Sequence, residues 1–175
     1  MESIESQFDL GIKKVQEISY VYQLEKLEEL CKFMVETYLP EGKEFSDVTG
    51  NTVTSYSYGI YYKGSLVSYG NSNKKPAIMP KLSKGDQFNG MSYDGFPGKY
   101  YATVETDRGY GDDTAFEFLS SYRPKGKGFS VVITTGTEYS AYLENVRELN
   151  VLSESIDHFE GEFLHFFKPD RKSVV

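Results

Sequence analysis

Apolar positions recur at three- and four-residue spacing along the first part of the chain and switch to a spacing of two after Thr52. Ile12, Val15, Tyr22, Leu27, Leu30, Met34 and Tyr38 fall near one face of a predicted N-terminal helix, with a break around Ser19. Glu25, Lys26, Glu28, Glu29 and Lys32 occupy the other side, and Pro40 and Gly42 are expected to end the helix. From residue 52 to 69, Val53, Ser55, Ser57, Gly59 and Tyr61 alternate with Thr54, Tyr56, Tyr58, Ile60 and Tyr62, which predicts a β-hairpin with one bulky aromatic face. Lys63-Gly64-Ser65 supplies its turn, and Leu66 to Tyr69 a shorter return strand.

The pattern then breaks down. Residues 70–128 hold nine of the 16 glycines and four of the six prolines, so the stretch reads as a long Gly/Tyr-rich insertion. Gly95-Phe96-Pro97-Gly98 and Arg108-Gly109-Tyr110-Gly111 carry turn chemistry, and the region reads as irregular loop with one or two short strands, one of them over Tyr100 to Val104. Gly128-Phe129-Ser130-Val131-Val132-Ile133-Thr134-Thr135-Gly136 reads as a strand, and its continuous apolar run points to a central position in the sheet. Leu149, Leu152, Ile156, Phe159 and Phe163 mark a second amphipathic helix, interrupted at Gly161 and ended by Pro169. The order helix, hairpin, insertion, strand, helix predicts an α+β fold: a small antiparallel sheet with the N- and C-terminal helices packed on one face. At 175 residues the chain is expected to form a single domain, 1–175, with 70–128 inserted in it.

Charge narrows the choice of partner. The net charge of −7 argues against a general nucleic-acid surface, which needs clustered cations to release counterions. The basic residues that do cluster, Lys74-Lys75 and Lys125 to Lys127, read as solvated loop charges. One cysteine, Cys31, excludes an internal disulfide framework, and its position beside Leu27 and Leu30 predicts a small buried hydrophobe. The opening Met-Glu-Ser-Ile-Glu-Ser lacks a secretory pattern, and no apolar run reaches membrane-spanning length, so a soluble protein of a reducing cytosol is expected. Fifteen Tyr, 12 Phe and no Trp favour half-buried strands and protein interfaces.

No catalytic constellation stands out, and the chain is not expected to be an enzyme. His158 and His165 share a helical face two turns apart, but two histidines, even with Glu162, do not make a metal site. Asp107, Asp112 and Asp113 lack the alternating ligands and closing glutamate of a calcium loop and read as a charged loop. No phosphate-binding glycine loop, nucleophile elbow or Cys–His pair is present. No cofactor, metal or catalytic residue is therefore assigned.

Two short segments frame the insertion. The first is Asp47-Val48-Thr49-Gly50-Asn51-Thr52-Val53-Thr54-Ser55, the second Glu138-Tyr139-Ser140-Ala141-Tyr142-Leu143-Glu144. Physically, both suit joints between helix and sheet, with turn residues in the first and two tyrosines and a carboxylate in the second. In order and context they resemble the tail-completion (neck, head–tail joining) proteins of tailed bacteriophages. Asp47, Thr49, Gly50, Asn51 and Ser55 match that family's first motif, with Val48 as an extra residue. Tyr139, Ala141, Tyr142 and Glu144 match its second, with Ser140 intervening and Asn145 where a glycine soon follows in the family. The resemblance covers roughly residues 10–69 and 128–168. It implies a structural virion protein, made in the host bacterial cytoplasm and located at the head–tail junction. It also implies a homo-oligomeric ring that joins a connector- or portal-side ring to tail proteins, with DNA passing through unread. Glu138 or Glu144 would pair with a basic group on a neighbouring subunit, or both segments would simply hold the fold. The competing reading is a ligand- or glycan-binding module that uses Tyr100, Tyr101 and Tyr110 of the insertion.

Overall fold

The computed structural model describes residues 4–41, 54–72, 82–91, 96–102, 110–137 and 151–167. It is an α+β structure with a three-stranded antiparallel sheet, a separate two-stranded hairpin, and helices at both ends of the chain.

Helix α1 spans Ile4–Phe33 and continues through a π-helical turn, Met34–Tyr38, into a last α-helical turn, Leu39–Glu41. Pro40 lies in the last described turn, one residue before its end at Glu41. A proline has no N–H and its ring collides with the carbonyl four residues back. The wider turn absorbs that defect, with the Leu39 N–H bonding Met34 O five residues back.

The single apolar face expected for α1 is in fact two. Leu27, Leu30, Cys31, Met34, Val35 and Leu39 are buried against the sheet, whereas Ile12, Val15 and Tyr22 are exposed. At 3.6 residues per turn the exposed set points roughly 130° away from the buried set. The break at Ser19 marks where one stripe gives way to the other.

Strands β1 (Ser57–Tyr62) and β2 (Ser65–Asn71) form the hairpin. Lys63 and Gly64 both have positive φ, 51° and 80°, which makes a two-residue turn whose twist matches the strands. The Lys63 N–H also bonds Gly128 O at 3.1 Å, tying the turn to the next strand. Ile60 faces Ser68 but Tyr61 faces Leu66, so Val67 is the extra residue of a bulge. The alternation does not reach back to Thr54 and Ser55, which are helical.

Strand β5 (Phe129–Thr134) pairs antiparallel with β1 from Ser57↔Thr134 to Tyr62↔Phe129. The sheet order is β2-β1-β5, so the central one of the described strands is β1 and not β5. The reason is visible in its burial: β1 is covered on both faces, whereas every residue of β5 is half-buried. An apolar run reports burial, and here the strand with more polar and aromatic residues has the greater share of it.

On one face Tyr58 and Ile60 pack with Leu27, Cys31, Val35 and Leu39 of the long helix. Leu152 and Phe159 of the C-terminal helix, Val151–Phe166, join them. Both terminal helices therefore cover one face, as expected. The other face carries a helix the sequence pattern did not reveal, α2 (Tyr110–Ser121), which makes the terminal one α3. Ala115 and Leu119 of α2 are buried, the Tyr61 hydroxyl donates to Leu119 O at 2.7 Å, and Tyr69 meets Phe116 edge-on at 4.9 Å.

The insertion is thus more ordered than an irregular loop. Besides α2 it contains a hairpin, β3 (Gln87–Met91) with β4 (Pro97–Tyr101). Pro97 and Gly98, expected in a turn, sit in β4 opposite Met91 and Gly90. Asp112 and Asp113, read as loop charges, occupy the first turn of α2, where the exposed N–H groups favour acidic side chains.

Candidate functional site

Ser55, the described end of the first framing segment, meets the strand exit that precedes the second. Ser55 closes the first, and Thr135 to Thr137 lead into the second. Pairing of Ser57 with Thr134 brings them to the same end of the sheet. There the Ser55 Oγ lies 2.5 Å from Thr135 Oγ1, and Thr135 Oγ1 lies 3.3 Å from Thr137 Oγ1. Ser57 Oγ donates to Ser55 O at 3.2 Å, and the Ser72 N–H donates to Tyr56 O at 2.8 Å. Thr54, Ser55, Ser57, Ser72 and Thr137 are all buried. A hydroxyl both donates and accepts, so a cluster of them satisfies itself without a charge. Leaving such groups unpaired in a dry site would be destabilising. This arrangement locks the entry to β1 against the exit from β5.

Gly136 tightens the same corner. A Cβ there would overlap Gly111 O and lie 2.7 Å from Ala115 N, so β5's exit runs directly against the first turn of α2. The joint therefore connects three parts: the hairpin, the last strand and the insertion helix. Of the residues that match the tail-completion motifs, Ser55 is the one described here. Asp47, Thr49, Gly50, Asn51, Glu138, Tyr139, Ala141, Tyr142 and Glu144 lie outside the described residues.

The other candidates separate in space or in role. His158 stacks on Tyr38 with ring centroids 3.9 Å apart and planes 5° from parallel, and its Nε2 is buried without a hydrogen-bond partner. That is a packing role, pinning α3 to the π-helical end of α1. His165 is exposed two turns further along α3. Among the described residues no three His, Cys, Asp or Glu side chains cluster as metal ligands. Cys31 is fully buried, and burial pushes its thiol well up from the ordinary range, as befits a core residue. Among the described residues no helix is long and apolar enough to cross a membrane.

Tyr100 and Tyr101 sit on β4, where successive side chains point to opposite faces. Tyr101 is exposed and Tyr100 half-buried beside Phe88, so the two do not build one stacking platform. Tyr110 opens α2. Lys125 and Lys127 are exposed in the connection before β5.

Apolar concavities lie instead along β5. Two cavities of about 520 and 510 Å³ share Val131, Ile156 and Phe159 and so form one trough between β5 and α3. Leu27, Phe129 and Phe163 extend it at one end, and Leu152 and Ile133 at the other. Small-molecule sites combine an apolar wall with a few convergent polar groups. This trough offers Gln23, Glu160, Ser153 and Ser155 spread along its rim, a lining better suited to another polypeptide. The sequence pattern gave no hint of it, because Ile156 and Phe163 look like ordinary core positions of an amphipathic helix. No family model, no curated protein and no solved structure matches this chain.

Proposed function

We propose that this chain is a structural assembly component, and specifically a ring-forming adaptor at the head–tail junction of a tailed bacteriophage. The observation that carries the first part is the unsatisfied apolar surface. Ile156 and Phe163 line an open trough beside β5, and the N-terminal half of α1 presents Ile4, Phe8, Val15 and Ile18 to solvent. Contiguous exposed apolar surface of this kind marks protein contact. The second part rests on the resemblance of the framing segments, supported by the meeting of Ser55 with Thr135 at one structural joint. In this reading the sheet and terminal helices form the frame, and the β3–β4 hairpin and α2 add contacts to neighbouring ring proteins. The acidic balance, net −7, suits a protein surrounding a DNA passage without gripping it.

The reading of a glycan-binding module finds less support, since Tyr100 and Tyr101 diverge across β4. Native mass spectrometry and electron microscopy of the protein, alone and with a portal-side ring protein, test the proposal together with mass spectrometry of purified virions. Incorporation into a ring or into virions is expected. A chain that stays monomeric in every combination and is absent from virions refutes it.

A further inference from the structure

The strongest unexplained feature is the free stretch of α1. The helix meets the body from about Tyr20 onward, where its ring lies 4.9 Å from Tyr62 and 5.2 Å from Phe129. Every residue from Ile4 to Ser19 is exposed. Along that arm Ile4, Phe8, Gly11, Val15, Ile18 and Tyr22 follow one another at alternating steps of four and three. Alternating steps of this kind define the seam of a two-helix coiled coil. The apolar members are far from buried: Ile4 is 87 %, Phe8 68 %, Val15 67 % and Ile18 61 % exposed. Gly11, at a seam position, has open space where its Cβ would be.

We propose that this arm pairs in parallel with the same arm of a second copy of the chain, forming a two-fold dimer. Three observations favour a second copy over an unrelated helix. The first is area. Ile4, Phe8, Ile12, Val15, Ile18 and Tyr22 bury roughly 100 Å² apiece on pairing, from the ordinary value of such side chains. Two arms together therefore remove about 1,200 Å², the lower bound of a stable interface. The second is charge. Glu5, Asp9 and Glu17 nearly balance Lys13 and Lys14, so the arm repels its own copy little and selects no strongly charged partner. In the parallel register the seam-flanking pairs are Gln7 with Ile12 and Lys14 with Ser19, and no like charges face each other. The third is geometry: at 3.6 residues per turn Ile4, Phe8 and Ile18 point away from the side of α1 that carries Leu27, Leu30 and Cys31, while Val15 borders a concavity with Tyr62 and Phe129. Anchoring of Leu27 to Leu39 in the core also supplies the helical nucleus that a free arm of this length would lack. The pairing does not depend on the neck reading. A phage-free dimer would support it while that reading failed.

Sedimentation velocity of the full-length protein across a concentration series provides the test, with a near-ultraviolet spectrum to confirm folding. The wild type is expected to dimerise. Val15→Asp with Ile18→Asp should raise the dissociation constant by at least about 100-fold. Leu10→Asp, exposed but off the seam, should leave it unchanged. Ile4→Cys should cross-link to itself on mild oxidation, because a parallel pair places the two residues side by side. A wild type monomeric up to high micromolar concentration overturns the proposal. A dimer that survives the double substitution, or an Ile4→Cys chain that never cross-links, overturns it as well.

Discussion

Replacing Gly136 with alanine should destabilise the fold at the joint between β5 and α2. The new Cβ would overlap Gly111 O and stand 2.7 Å from Ala115 N and 2.8 Å from Gly111 C, all of them backbone atoms. A clash with a side chain can relax by rotation, but backbone at the first turn of a helix moves only if the whole helix moves. Ordinary van der Waals contact would require α2 and the strand exit to separate by about 1 Å or more. That displacement would open the packing of Ala115 and Leu119, which are 1 % and 0 % exposed. Overpacking typically costs about 1–3 kcal/mol, and a clash without a soft partner belongs at the upper end, about 3 kcal/mol. For a chain of this size that lowers the midpoint of thermal unfolding by about 6–12 °C. Scanning calorimetry and urea unfolding measure it. Gly161→Ala serves as the opposite control. Gly161 lies within α3 with nothing within 4 Å of its would-be Cβ, so alanine there should stabilise by about 0.5–1 kcal/mol. A Gly136→Ala protein within about 0.5 kcal/mol of wild type, the scale of an ordinary surface substitution, would refute the close approach.

Tyr61→Phe removes the hydroxyl that reaches Leu119 O at 2.7 Å, and should cost about 1–2 kcal/mol in urea unfolding, loosening α2 from the sheet. Lys63→Asn keeps the left-handed turn at φ 51° with a residue that tolerates it, and should stabilise by about 0.5–1 kcal/mol; a loss of stability would contradict the turn geometry. Burial raises the Tyr58 phenol to about 12, so its contribution is fully present below the unfolded value near 10. That contribution is then lost as pH climbs through 12, and Tyr58→Phe should show a smaller fall in stability than wild type across this interval. Cys31, fully buried, should resist thiol reagents in the native protein and react at once in denaturant; rapid native labelling would contradict its placement.

Parts of this architecture were legible because their causes are local. Lys63-Gly64-Ser65 predicted the place of the hairpin turn, which the structure narrows to Lys63-Gly64, both at positive φ. Leu152, Ile156 and Phe159 predicted a terminal helix by spacing alone. Helix α2 was missed because Gly109 and Gly111 at its start look like turn residues, while its helical signals are modest. Those signals are Asp112 and Asp113 at the N-terminus, and the one-turn spacing of Ala115 and Leu119. At the candidate joint, the order of the framing segments was legible but the hydroxyl cluster of Ser55, Thr135 and Thr137 was not. Partners separated by 80 residues in sequence announce themselves only when strand pairing brings them together.

The sequence by itself determined the two terminal helices, the place of the first hairpin, the burial of Cys31, and a composition suited to protein contacts. Those features depend on nearest-neighbour sterics and on periodicity within one element. Tertiary structure alone decided that β1 takes the centre of the three described strands, that α2 covers the second face, and that the apolar positions of α1 divide into two stripes. A hydrophobic residue records only that it favours burial. Whether it is covered by the chain's own core, as Leu30 is, or left exposed, as Val15 is, depends on where the rest of the chain packs.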